Sequence, residues 1–173
     1  AAAVFLMLRA LAAGKEVLVS RGELVEIGGS FRIPDILREA GVTLVEVGTT
    51  NRTRLSDYEQ AITENTAALL KVNPSNYEMR GFTAEVTLPE LANLAHQHNL
   101  TALYDWGSGS FYRFAQGPLR EHATAAQVLE SGVDVIAFSG DKLLGGVQAG
   151  VGLGRGVLVQ KLRKHPLYRA LRL

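Results

Sequence analysis

Short apolar runs recur along this chain, and a polar or helix-like stretch separates each from the next. Residues 17–19, 42–47, 67–72, 101–104 and 133–138 are runs of strand length, rich in Val, Leu and Ile. Helix signals fall between them. Residues 2–13 are mostly Ala, Leu and other apolar types and stop at Gly14. Pro34 opens a short helix over 35–40, closed by Gly41. Ser56 is the predicted N-cap of a helix over 57–63, with Glu59 completing a capping box. Thr87 caps a helix running to about His98, with Leu88, Leu91, Leu94 and Ala95 on one face. Residues 124–130, ended by Gly132, and 157–164 complete the helices, while 21–33, 73–81 and 111–121 read as loops.

Strands that alternate with helices predict an α/β fold, a mainly parallel sheet with helices on both faces. The interval from Phe138 to Ala149 is too short for a crossover helix, so the strand at 150–154 is predicted to run antiparallel to its neighbour. Ligands of such sheets sit beyond the carboxyl ends of the strands. Asn76, Asp105 and Lys142 all fall at such ends.

Composition narrows the class. The 173 residues suit one domain, and 47% of them are hydrophobic, enough for a sizeable core. A net charge of +1 gives no global basic field for nucleic acid. The lack of cysteine excludes a disulfide framework or thiolate metal site and fits a cytoplasmic location. Residues 1–13 are apolar, but they lack a basic leader and are too short to span a bilayer, so a buried helix is expected and no membrane partner. His96 and His98 at a helix end have no cysteine or carboxylate beside them in sequence, and no metal is expected. The glycines at 150, 152, 154 and 156 mimic a dinucleotide loop but follow no strand–helix unit, and they read as a close-packed strand.

Candidate chemistry gathers at Phe138-Ser139-Gly140-Asp141-Lys142-Leu143-Leu144-Gly145-Gly146. A lysine just past a buried strand, made nucleophilic by desolvation and neighbouring charge, suits a Schiff base with an aldehyde cofactor. Ser139 and Gly140 offer a hydroxyl and a backbone N–H to a phosphate. Asp105, at the end of another strand and followed by Trp106-Gly107-Ser108-Gly109, suits a protonated pyridine nitrogen. On residue types alone each has a plainer reading: a solvated loop lysine, a strand-ending serine, a capping or ion-paired aspartate, and for Asn76 a turn asparagine.

Five blocks carry a resemblance: residues 20–34 (Ser-Arg-Gly-Glu-Leu through Ile-Pro), residues 46–53, Asp105 to Ser110, Ser139 to Gly146, and His165 to Arg172. Together, in this order, they resemble the L-seryl-tRNA(Sec) selenium transferase family, the bacterial selenocysteine synthases. The resemblance covers nearly the whole chain. It implies fold type I, with residues 1–173 forming the central part of a large domain that binds pyridoxal 5'-phosphate. It also implies sequence beyond both ends. Lys142 is then the Schiff-base lysine, Asp105 the partner of the pyridine nitrogen, and Ser139 a phosphate ligand. Asn76 and Ser108 also face the cofactor, and Asp141 helps proton transfer at the substrate serine. Arg169 and Arg172, on one face if that segment is helical, bind selenophosphate. The implied reaction converts seryl-tRNA(Sec) to selenocysteinyl-tRNA(Sec) through elimination to an aminoacrylate and selenium addition, in a homo-oligomer built as a ring of dimers. Two alternatives stand beside it: a related lyase acting on a phosphorylated amino-sugar acid, and a fragment that binds no cofactor alone. Arg21, Glu23, Asn51 and Arg52 lie in matching blocks and serve either subunit contact or active-site shaping. Val147, Asn73-Pro74 and Trp106 depart from the family's usual proline, histidine-containing pair and leucine.

Overall fold

The computed structural model describes residues 1–172. Helix α1 (Ala2–Ala12) leads into β1 (Glu16–Ser20), a 3-10 turn over Arg21–Glu23, and a hairpin of two tiny strands, β2 (Glu26–Ile27) and β3 (Phe31–Arg32). Next come α2 (Ile33–Glu39), β4 (Thr43–Val47), α3 (Leu55–Ala61) and β5 (Thr66–Val72). The chain continues through α4 (Leu88–Gln97), β6 (Thr101–Gly107), α5 (Ala125–Glu130) and β7 (Val135–Ser139). It closes with β8 (Gly150–Gly154), α6 (Gly156–Lys164) and α7 (Pro166–Leu171).

Six strands form one sheet in the order β4-β1-β5-β6-β7-β8. Every pair is parallel except β7 and β8, which run antiparallel as the short connection requires. Both faces are covered, so the inner strands are apolar on both sides rather than alternating. Val17 and Val19 pack with α1, α2 and α6, and Leu18 packs on the opposite face with α3, α4 and α5. Val17, Leu18, Val19, Leu69, Leu103 and Ile136 are wholly shielded from solvent. The same alternation divides β6 and β7. Leu103, Val135 and Ala137 face α1, while Tyr104, Trp106, Ile136 and Phe138 face α4 and α5.

Helix α1 crosses against β7 and β8 with Val4, Leu6, Met7, Leu8 and Ala12 buried. Its first turn comes so close to β8 that a methyl on Gly150 would lie 2.7 Å from Ala3 Cβ. Glycine at 150 is therefore a packing requirement, not a nucleotide signature.

Some boundaries differ from the sequence-based expectation. Helix α3 starts at Leu55, and the cap is Arg54, whose N–H donates to Asp57 Oδ2 at 2.8 Å. Ser56 lies inside the helix because Asp57, a stronger acceptor, sits at the third helical position. β7 starts at Val135 because Asp134 is used as a staple. Its carboxylate, 1% exposed, accepts from Ala102 N at 2.8 Å and Arg155 at 2.9 Å, and pairs with His96 Nε2 at 3.1 Å. The basic stretch after residue 156 is two helices. His165 ends α6, and its Nδ1 accepts from Leu167 N as Pro166 begins α7.

Candidate active site

Three strand ends converge at the carboxyl edge of the sheet. β5 delivers residues 73–76, β6 delivers Asp105 to Ser108, and β7 delivers Ser139 to Lys142. Strand alternation puts Asp105, two past Leu103, and Ser139, two past Ala137, on the face covered by α1.

Lys142 sits in the β7–β8 connection. Gly140 N donates to Ala149 O at 2.8 Å and continues the hairpin ladder, and Gly145 N donates to Lys142 O at 2.9 Å, closing a tight turn on the lysine. Lys142 and Asp141 are both exposed. The lysine reaches back over Gly107, where a methyl would come 3.7 Å from its Nζ and 3.8 Å from Ser75 Oγ. Gly107 also has φ +70°, a left-handed conformation that favours glycine. Its missing side chain leaves a notch flanked by the amine and the Ser75 hydroxyl.

Asp105 is the electrostatic centre of this edge. Burial raises its pKa from 3.8 to about 6. Lys142 and the Gly107 N–H pull the other way. A carboxylate this dehydrated gains most from a cation brought against it. Its backbone is fixed as well, since Asp105 O accepts from Asn73 N at 2.9 Å and Trp106 O from Asn73 Nδ2 at 3.3 Å.

The remaining candidates are placed as follows. Ser139 is half-buried and pairs with Gly150 in the ladder. Ser108 is half-buried in the turn after β6, its N–H donating to Trp106 O. Asn76 is exposed, and its amide donates to Glu26 O at 2.9 Å. Arg169 lies in α7 and Arg172 caps its C-terminus, both exposed. Arg172 lines a groove of about 490 Å³ with Arg163, Tyr168, Ala3 and Gly150, so it opens beside the strand that pairs with Ser139. Arg169 does not line that groove.

Ser75 and Gly107 join the site without having been proposed as site residues, and so does Asn73, noted from sequence only as a departure from the family's pattern. The signal for Asn73 was its place directly after an apolar strand. Nothing local marks Ser75, because its neighbour across the notch is 67 positions away, a distance only the sheet order removes. Trp106 is not at the cleft. It is 4% exposed, stacks on His122 at 5.2 Å and meets Phe138 edge-on at 5.5 Å in the opposite core. Asn51 and Arg52 are engaged within the chain: Asn51 donates to Phe82 O, and the Arg52 guanidinium lies 4.0 Å from the Phe82 ring centre. Arg21 pairs with Glu46 and donates to Gly48 O. Among the described residues no cluster of His, Asp or Glu is arranged to hold a metal ion, and no helix is long and apolar enough to cross a membrane.

The donor set fits a pyridoxal group: a lysine amine at an open notch, a dehydrated carboxylate two residues from that notch, and a hydroxyl at an adjacent strand end. The sheet shares its fold with solved lyase and aminotransferase structures. D-Glucosaminate-6-phosphate ammonia-lyase superposes with a TM-score of 0.76 at 23% identity, over 99% of this chain and 47% of that one. An aspartate aminotransferase variant from Thermus thermophilus gives 0.65 at 21%, over 98% and 44%. A putative O-acetylhomoserine (thiol)-lyase from Campylobacter jejuni, solved with a pyridoxyl-lysine, gives 0.59 at 22%, over 98% and 37%. Sequence comparison is more specific than fold. The model of the L-seryl-tRNA selenium transferase family matches residues 1–173, and the chain belongs to that family. The L-seryl-tRNA(Sec) selenium transferase of Shewanella oneidensis is 59% identical over 163 residues, which is 94% of this chain and 34% of that protein. The Serratia proteamaculans enzyme of the same name is 57% identical over 172 residues, 99% of this chain and 37% of that protein. The chain thus spans about a third of the length of the curated relatives it matches.

Proposed function

We propose that the protein carrying this chain converts seryl-tRNA(Sec) to selenocysteinyl-tRNA(Sec), using pyridoxal phosphate at Lys142 and selenophosphate as the selenium donor. Residues 1–173 are the central part of its cofactor-binding large domain. The observation that carries the reading is the Lys142 amine at the Gly107 notch, two residues from the half-buried Asp105, in a chain 59% identical to a named transferase.

Pyridoxal phosphate supplies an electron sink for negative charge at the substrate Cα. The chain's own groups do the rest. Lys142 holds the cofactor through its amine, which the tight turn at Gly145 presents to the cleft. Asp105 holds the proton of the pyridine nitrogen, and its dehydrated carboxylate favours that cation strongly. Ser139, Ser108 and Asn76 are the polar groups that orient the cofactor at its phosphate and ring substituents. Asp141, exposed beside Lys142, moves the substrate proton. Arg169 and Arg172 present guanidinium forks to the oxyanion of selenophosphate. The net change replaces the serine hydroxyl by a selenol: the hydroxyl leaves as water, the C–Se bond forms, and hydrolysis of the Se–P bond releases inorganic phosphate with no change of oxidation state. The protein works as a homo-oligomer in the cytoplasm on this reading.

The lyase alternative draws support from the ammonia-lyase likeness, but at 23% identity that likeness speaks for the fold alone. One assay separates the two. Full-length protein given seryl-tRNA(Sec) and selenophosphate is expected to form selenocysteinyl-tRNA(Sec). Release of ammonia from a phosphorylated amino-sugar acid, with no turnover of the charged tRNA, contradicts the proposal.

A further inference from the structure

Glu23 follows β1 in the Arg21–Glu23 turn and is 7% exposed. β1 pairs with β5 only as far as Val19 and Leu70. Beyond that point the Val72 N–H has no strand partner on this side, and Glu23 Oε2 takes it at 2.8 Å. Glu23 Oε1 accepts from Lys71 Nζ at 3.0 Å, and that ammonium also reaches Glu85 at 3.2 Å and Val86 O at 2.8 Å. A side-chain carboxylate thus extends the ladder of β5 by one step, at the point where the chain leaves for the cleft.

Two further bonds run in parallel. Tyr77 Oη donates to Gly22 O at 2.8 Å, and Asn76 Nδ2 to Glu26 O at 2.9 Å. Residues 73–77 are therefore tied at both ends to residues 22–26. Between the ties, Asn73 fastens to Asp105 O and Trp106 O, and Ser75 stands over Gly107 near Lys142 Nζ. A buried carboxylate with two partners costs more to desolvate than an apolar side chain of the same size. Plain stability does not call for it, whereas a loop held to a fraction of an ångström does.

We infer that Glu23 is a positioning residue of the cofactor cleft: with Tyr77 it clasps the 73–77 loop to the 22–26 segment that follows β1, setting Asn73 against Asp105 and Ser75 opposite Lys142. This rests on the pyridoxal phosphate reading above. Of the two roles open to Glu23, the inference assigns it active-site shaping.

The test uses full-length protein and compares Glu23→Ala with Asp134→Ala. Asp134 is another buried carboxylate, with three partners, at the opposite end of the sheet. Both variants are expected to lower Tm. Only Glu23→Ala is expected to speed amide hydrogen exchange at Val72, Asn73, Ser75, Asn76 and Tyr77 in cofactor-free protein, and to raise the pyridoxal phosphate Kd by about tenfold. Should Glu23→Ala fail to fold, Tyr77→Phe tests the same clasp from a half-exposed side chain, with an expected rise in Kd of about threefold at unchanged Tm. Unchanged exchange in the 72–77 segment overturns the inference. So does faster exchange without weaker binding, or equal weakening by Asp134→Ala. If wild type forms no pyridoxal adduct, the cofactor reading fails, and the exchange arm still judges the clasp by itself.

Discussion

Replacing Asp105 by Asn is expected to make the cofactor-free protein more stable and the cofactor-bound protein less so. In the folded chain, burial raises the Asp105 pKa from 3.8 to about 6. The folded state therefore binds more protons than the unfolded state across the window from about pH 4 to pH 6, and stability falls as pH rises through it. Two pH units correspond to about 3 kcal/mol of destabilisation, fully present above pH 6 and absent below pH 4. Asn resembles the protonated acid in size and keeps an oxygen for the Gly107 N–H, but it never ionises. Urea unfolding of cofactor-free wild type and Asp105→Asn across pH 4 to 8 should give curves that coincide at the acid end. They should part by up to that amount at the alkaline end. Cofactor binding should move the opposite way. Losing one charge-assisted bond to the ring nitrogen costs about 2 kcal/mol, roughly thirtyfold in Kd. A variant no more stable than wild type at pH 8, or one that binds pyridoxal phosphate as tightly, refutes the electrostatic role assigned to Asp105.

Other substitutions separate the remaining roles. Gly107→Ala, at φ +70° with its new methyl 3.7 Å from Lys142 Nζ, should cost about 1–2 kcal/mol in stability and lower cofactor loading further than that loss explains, as read by absorbance titration. Arg169→Ala and Arg172→Ala remove exposed side chains, so unfolding should change by less than about 0.5 kcal/mol. The KM for selenophosphate should rise in both, and an unchanged KM would remove the pair from the donor site. Asp141→Asn should lower kcat while leaving the pyridoxal phosphate Kd unchanged; equal loss of both would make Asp141 a holder of Lys142 rather than a proton carrier.

The layered architecture was legible because burial on both faces leaves a plain mark, apolar runs such as 67–72 and 133–138 broken by capped helices. The antiparallel β8 followed from connection length alone. Lys142 and Asp105 stood out as candidates because each lies just past such a run. What stayed hidden depends on the order in which strands lie side by side. Sequence order does not say that β1 sits between β4 and β5, and the pairing of Glu23 with Lys71 and Val72 exists only because it does. The β2–β3 hairpin was read as loop because two-residue strands carry no periodicity. Ser56 was preferred over Arg54 as a cap on residue type, whereas Asp57 reaching back to the Arg54 N–H decided where α3 begins. Asn73 and Ser75 were passed over for Asn76 because the turn chemistry of all three is alike, and only the folded loop shows which of them face Asp105 and Gly107.

The most direct measurement is chemical. Full-length protein is incubated with pyridoxal phosphate, treated with borohydride, digested and analysed by mass spectrometry. A reduced pyridoxyl group on Lys142, absent in Lys142→Ala, is the predicted result. A pyridoxyl group on Lys71 or another lysine instead, or none on any, contradicts the placement of the cofactor at the Gly107 notch.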